Sequence, residues 1–213
     1  MRYVYNNPKL FFKGGIMKNI VFDIGNVLLD FHQQDFLKGL GFEKNIEDRL
    51  YKLIFLSDEW KELDRGSIDY DVAEKIFKTK APDLKKEIST VLDKWHEMLV
   101  PIEANVDLLK SLKDYGYNIY YLSNFQKDVY EKMYNKYDFL RIGNGGVISY
   151  QVNTLKPDHF IYAILLSKYN LDPSETLFID DNFDNIEEAK KIGFHSVLFT
   201  NCNELKNSIK PLL

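Results

Sequence analysis

The chain has one cysteine, Cys202, among 213 residues. An internal disulfide is therefore impossible, and such sparse cysteine usage suits a reducing cytosol. Long apolar runs are also lacking, and none approaches the roughly 20 residues that a membrane span requires. Near the start, Leu10, Phe11 and Phe12 sit between Lys9 and Lys13. That stretch is too short for a signal-peptide core. Basic charge is not in excess, because 28 Lys and Arg against 32 Asp and Glu leave a net charge of −4. That gives no electrostatic footprint for nucleic acid. The histidines His32, His96, His159 and His195 are scattered, without metal-ligand spacing. The expectation is a cytoplasmic protein with neither a nucleic-acid nor a membrane partner.

What is present is ordinary in amount, 45% apolar and 28% charged residues, but specific in arrangement. Ile20-Val21-Phe22 is a short β-prone apolar run that ends on Asp23. A buried parallel strand delivers a side chain in this way to the carboxyl edge of a sheet. Gly25 and Asn26 then allow a tight turn. Asn118 to Asn124 reads as a second buried strand, ending in Ser123 and Asn124. Thr176 to Asp181 is a third, ending in two carboxylates, and Ser196 to Phe199 is a last one. Gly145 to Val152 holds a short strand or turn.

Between the first two strands, residues 31–100 show only helical spacing. Phe36, Leu37 and Leu40 mark one helix, and Leu50, Leu53 and Ile54 a second. Ser57 caps a third that includes Trp60 and closes at Gly66. Val72 to Phe77 forms a fourth, and a fifth starts at Pro82 and runs to Leu99. Farther on, Val106 to Leu112, Lys127 to Tyr137, Phe160 to Leu165 and Ile186 to Ile192 read as helices. Pro157 falls in the first turn of the helix carrying Phe160. The fold class is α/β, a Rossmann-like parallel sheet with an inserted helical domain. The core is residues 17–30 and 101–213. Residues 1–16 read as a poorly ordered extension, with Met17 as the natural start.

Asp23, Ser123, Lys156 and the Asp180-Asp181 pair lie at strand ends or a helix start. A parallel sheet brings such positions to one edge. Asp23 can serve there as nucleophile, as metal ligand or as both. With Asp181 it can hold a hard cation that keeps positions open for a phosphate. Ser123 offers a hydroxyl, and Lys156 a fixed positive charge that offsets repulsion among three carboxylates.

This combination resembles the haloacid dehalogenase superfamily. The motifs are Val21-Phe22-Asp23-Ile24-Gly25-Asn26-Val27-Leu28, Tyr121-Leu122-Ser123-Asn124, Lys156-Pro157 and Phe178-Ile179-Asp180-Asp181-Asn182-Phe183-Asp184-Asn185. The helical insertion lies where that family places its C1-type cap. The resemblance implies a Mg²⁺-dependent phosphatase acting on a small-molecule phosphate ester. Asp23 would form an aspartyl-phosphate, while Ser123, Asn124 and Lys156 would bind the phosphoryl group. Asp23, the backbone carbonyl of Gly25 and Asp181 would ligate Mg²⁺, with Asp180 and Asn185 in support.

One position departs from the pattern. Family phosphatases carry an acid-base aspartate two residues after the nucleophile, and here that position is Gly25. A leaving group that needs little protonation, a substitute such as Asp30, His32 or a water, or loss of fast turnover would each account for it. The form Asp-Ile-Gly-Asn-Val, with Ser57-Asp58-Glu59-Trp60 and Asp64-Arg65-Gly66, resembles a subgroup that includes α-glucose 1-phosphate phosphatases. A sugar phosphate is the expected substrate. The alternatives are a 2-haloacid dehalogenase, or a non-catalytic phosphate-binding protein on the same scaffold. Trp60 and Trp95 are expected in the core of the insertion, with either able to face the cleft.

Overall fold

The computed structural model describes the backbone of residues 11–12 and 15–213, and side chains from Met17 on except that of Pro211. Strands β1 (Phe11–Phe12) and β2 (Gly15–Ile16) pair antiparallel as a small separate ribbon. The rest of the expectation for residues 1–16 lies outside the described residues.

The central sheet has five parallel strands: β3 (Asn19–Phe22), β4 (Asn118–Ser123), β5 (Gly145–Ile148), β6 (Thr176–Asp180) and β7 (His195–Leu198). Their order is β5-β4-β3-β6-β7, which places β3 at the centre. A central strand is covered on both faces, which explains why its sequence is apolar without alternation. Side chains still alternate between faces. Ile20, Phe22, Ile119, Tyr121, Leu177 and Ile179 face one apolar layer, and Val21, Tyr120, Leu122 and Phe178 the other. The first layer is completed by α6 (Glu103–Asp114), α7 (Lys127–Lys136) and α11 (Cys202–Ile209). The second is completed by α9 (His159–Tyr169) and α10 (Phe183–Ile192). Burial on both faces makes this a Rossmann-like α/β core.

Between β3 and β4 come α1 (Gln33–Gly39), α2 (Lys44–Leu50), α3 (Asp58–Arg65), α4 (Tyr70–Lys80) and α5 (Lys85–Lys94). The chain enters and leaves this insertion through two adjacent segments. Asp30 N–H donates to Val100 O at 2.8 Å, and Ile102 N–H to Leu28 O at 2.9 Å. The Ser57 hydroxyl caps α3 by accepting from Trp60 N–H, and Gly66 ends the helix in the left-handed conformation, as read from sequence.

Several boundaries differ from the expected ones. Leu53 and Ile54 lie in a π-helical turn, Tyr51–Phe55, that continues α2. Pro82 precedes α5 by a turn instead of starting it, and the helix tightens to a 3₁₀ turn at Trp95–Met98, before Leu99. Pro157 lies outside α9, because Asp158 is the N-cap and accepts from Phe160 N–H. Gly145 to Val152 resolves into β5 followed by one helical turn, α8 (Ser149–Val152). The helix α11, which carries Cys202, was not expected. Among the described residues no helix is long and apolar enough to cross a membrane.

Candidate active site

Register brings the acidic groups together. Phe22 pairs with Tyr121 on one side and Ile179 on the other, so Asp23 lies level with Leu122 and Asp180. Asp23 N–H still donates to Ile179 O at 2.9 Å, which holds the residue to the sheet edge. Asp23 Oδ1 accepts from Ile24 N–H at 2.7 Å and from Lys156 Nζ at 2.8 Å. Among the described residues no hydrogen bond is made to Oδ2.

Lys156 joins two acids. Its Nζ also lies 2.6 Å from Asp180 Oδ2, and its side chain is 1% exposed. Asp180 is fully buried and its oxygens are well occupied. Asn182 N–H donates to Oδ1 at 2.8 Å, and Asn185 Nδ2 reaches both oxygens at 2.9 and 3.0 Å. Asn185 therefore steadies Asp180 directly. Asp181 is half-buried, and its Oδ2 accepts from Asn26 Nδ2 at 2.9 Å. Asn26 has φ +54° and also accepts from Phe31 N–H at 3.2 Å. It thus ties the turn after β3 to the loop after β6. Its side-chain role was not read from sequence, although a polar residue tolerant of positive φ in that turn was the available signal.

Ser123 is buried at the end of β4, on the strand beside β3. Asn124 was expected to bind the phosphoryl group, and both ends of its side chain are engaged by Lys156. Its Oδ1 accepts from Lys156 N–H at 2.8 Å and its Nδ2 donates to Lys156 O at 3.0 Å. Asn124 sets the main chain that carries the lysine, and only its own backbone remains for a ligand.

The electrostatics show strain from like charge. Burial pushes the Asp23 carboxyl up to about 7, Lys156 opposes it, and Asp180 and Asp181 add repulsion. Burial also raises Asp181, against the Asn26 hydrogen bond. Burial pulls Lys156 down, but Asp180 and Asp23 outweigh it and hold the ammonium above its ordinary value. One oxygen from each of Asp23, Asp180 and Asp181 lies within 4.8 Å of the others. Three carboxylates against one ammonium leave negative charge uncompensated, and an all-oxygen donor set suits a hard divalent cation such as Mg²⁺.

The walls beside this edge are aromatic. A small cavity is lined by Gly25, Phe31, Trp60, Asp64, Trp95, Leu99, Asn124 and Phe125. Trp60 and Trp95 are both buried, 5.0 Å apart between ring centroids, and both face this cavity. Asp30 and His32, the expected substitutes for an acid at Gly25, do not line it. They face each other at 3.7 Å with side chains 38% and 65% exposed. Asp64 does line it, and sequence reading gave it no role beyond its motif.

A family model described as haloacid dehalogenase-like hydrolase matches residues 17–193. The chain is 29% identical over 204 residues to a D-ribitol-5-phosphate phosphatase of Bacteroides thetaiotaomicron, covering 85% of this chain and 91% of that protein. It is 24% identical to the sesquiterpene phosphatase astK of Aspergillus oryzae, covering 90% and 96%. It spans only 30% of drimenol cyclase drtB of Aspergillus calidoustus, at 26% identity over 72% of this chain. A solved HAD family enzyme from Bacteroides thetaiotaomicron, in complex with magnesium and inorganic phosphate, is similar with a TM-score of 0.67. That likeness has 26% identity and covers 86% of this chain and 94% of that one. The matched span contains Asp23, Ser123, Lys156, Asp180 and Asp181 together with four of the five central strands, and the chain belongs to the haloacid dehalogenase-like hydrolases.

Proposed function

We propose that the protein is a Mg²⁺-dependent phosphatase that hydrolyses a small phosphomonoester, a sugar or polyol phosphate, through an aspartyl-phosphate on Asp23. The observation that carries this reading is the buried Lys156 ammonium bridging Asp23 and Asp180, with Asp181 alongside. Asp23, Asp181 and the Gly25 carbonyl would hold Mg²⁺, which when bound supplies positive charge to the phosphoryl oxygens. Lys156 fixes Oδ1 of Asp23 and leaves Oδ2 to attack or to ligate. Its charge offsets the approach of a carboxylate to a phosphate dianion. The Ser123 hydroxyl donates to a phosphoryl oxygen. Asn124 keeps Lys156 in place.

The helices of residues 31–100 act as a C1-type cap whose aromatic wall excludes water and receives the leaving group. The acidic pair favours this reading over dehalogenation, since attack on carbon makes no use of a metal-binding carboxylate. The relatives act on a polyol phosphate and on sesquiterpenes by their names. Aromatic faces suit the C–H face of a sugar. The same lining also fits a short prenyl chain, which is the second reading.

The test is phosphate release from ribitol 5-phosphate, glucose 1-phosphate and farnesyl phosphate. Each is run with Mg²⁺, with a chelator and with Asp23→Asn. Release that needs both Mg²⁺ and Asp23 is the expected result, and the preferred ester ranks the two substrate classes. Release that continues at wild-type rate in Asp23→Asn refutes the mechanism.

A further inference from the structure

Protonation of the leaving oxygen is the step for which the sheet edge supplies no side chain, because Gly25 stands at the position where an acid would be needed. The cavity that includes Gly25 has one ionisable side chain in its wall, Asp64 of α3. Asp64 is half-buried, and its main chain is fastened to the core although it belongs to the insertion. The Ser149 hydroxyl, at the start of α8, donates to Asp64 O. Asn153 Nδ2 donates to Arg65 O at 3.2 Å. Gly66 packs so close to Tyr150 that an added Cβ would lie 3.0 Å from its carbonyl oxygen. The end of α3 is thus pinned to the residues that follow β5.

A directed chain of donors runs from Trp95 through Tyr70 to Gln126, which lies beside Asp64. Trp95 Nε1–H donates to Tyr70 Oη at 2.6 Å, and Tyr70 O–H donates to Gln126 Oε1. Gln126 is 1% exposed, and its Nε2 closes no hydrogen bond of good geometry. That amide acts on Asp64. With its oxygen committed to Tyr70, the Gln126 amide can present only N–H to the carboxyl. That N–H is left without a closed hydrogen bond, next to the Asp64 carboxyl.

We propose that Asp64 is the general acid and base of this site, supplying from the helical insertion what Gly25 lacks. The proposal rests on the phosphatase reading above. In the first step an Asp23 carboxylate oxygen bonds to phosphorus. The bond from phosphorus to the leaving oxygen breaks, its electron pair stays on that oxygen, and the Asp64 carboxyl gives it a proton. In the second step the Asp64 carboxylate takes a proton from water as the water oxygen bonds to phosphorus. The bond from phosphorus to Asp23 breaks and its pair returns to the carboxylate. Alcohol and inorganic phosphate leave, with Asp64 protonated and Asp23 ionised as at the start. Burial pushes the Asp64 carboxyl up to about 7, with the Gln126 amide pulling the other way, which suits both halves of the cycle.

The experiment compares wild type, Asp64→Asn and Asp64→Glu with Mg²⁺ on two esters. One is p-nitrophenyl phosphate, whose leaving group departs as a stable anion. The other is the alkyl phosphate that wild type hydrolyses fastest. Asp64→Asn should lower turnover of the alkyl ester by about 10²–10⁴-fold. First-turnover nitrophenolate release should fall far less, and aspartyl-phosphate should then accumulate. Asp64→Glu should restore part of the alkyl activity. Should Asp64→Asn fail to fold, Tyr70→Phe, which unties Gln126, should show the same selective loss in weaker form. Equal losses of first-turnover leaving-group release on both esters, or no loss on either, overturn the proposal alone. Wild type that releases phosphate from neither ester overturns the phosphatase reading, and the role of Asp64 with it.

Discussion

Lys156→Met is the most informative single change, because among the described residues it removes the one cation held between Asp23 and Asp180. The ammonium lies 2.8 and 2.6 Å from the two carboxylates and is 1% exposed on its side chain. At an effective dielectric near 20, each contact is worth about 6 kcal/mol of attraction. Much of that is offset by desolvation of the ammonium, which methionine does not incur. What remains is the penalty of buried carboxylates left unpaired, about 3–5 kcal/mol. The pH dependence follows from the directions already described. Lys156 is held above its ordinary value, so its contribution is fully present at any pH below about 10.4. Without it, Asp23 rises further above its unfolded value. A carboxyl raised in the folded state loses stability as pH climbs from its unfolded to its folded pKa. The variant should therefore be weakest at alkaline pH and recover partly toward pH 5. Urea unfolding of both proteins with chelator, at about pH 5.5 and pH 8, measures this. A variant as stable as wild type at pH 8, or a deficit that grows toward acid, would refute the electrostatic account of the site.

Three other outcomes are expected. Asp23→Asn should abolish phosphate release yet raise the unfolding midpoint of metal-free protein at pH 8, since burial and two neighbouring acids oppose its ionisation. The gain should shrink as pH falls from about 7 toward 3.8 and vanish below that, where the wild-type carboxyl is neutral in both states, and a midpoint below wild type at pH 8 contradicts it. Mg²⁺ at a hundredfold excess over its dissociation constant should stabilise wild type by about 2.7 kcal/mol, an effect that Asp181→Asn should largely remove. Calorimetric scans with and without chelator read it. Gly66→Ala should cost about 1–2 kcal/mol from its φ of +75° alone, with more from the approach to Tyr150, and denaturant titration would show it.

The parts legible in sequence share one physical cause. A parallel strand buried on both faces must be apolar throughout, so β3, β4 and β6 stood out as runs with abrupt polar ends. Asp23, Ser123 and Asp180 are those ends, and the fold then places them on one edge without further information. Glycine in the left-handed conformation ended α3 where Gly66 predicted, and Gly193 ends α10 in the same way. The weaker readings concerned proline. Pro82 and Pro157 are compatible with a helix start, but each was displaced by a neighbouring residue that closed the first turn, Leu84 and Asp158 respectively. The short α11 escaped because nothing in its composition separates it from a polar tail, and only burial of Leu205 and Ile209 reveals its amphipathic face.

Asp64 was illegible for a different reason. Register along a strand fixes which residues meet across a sheet, whereas the rotation of an inserted helix over that sheet depends on contacts far away in sequence. Here those contacts are Ser149, Asn153 and Tyr150, about 85 residues downstream. Ser149 carries no motif and is fully buried, yet its hydroxyl joins Phe125 N–H of the core to Asp64 O of the insertion. A serine is needed there because the site requires one atom that both accepts and donates. Alanine at 149 would leave Phe125 N–H and Asp64 O without that partner, and would release the end of α3 from the sheet. If Asp64 works only where that clamp puts it, Ser149→Ala should reproduce the selective loss on alkyl esters while Asp64 itself stays intact. Loss on both esters in equal measure would instead mean that Ser149 merely holds the insertion in place.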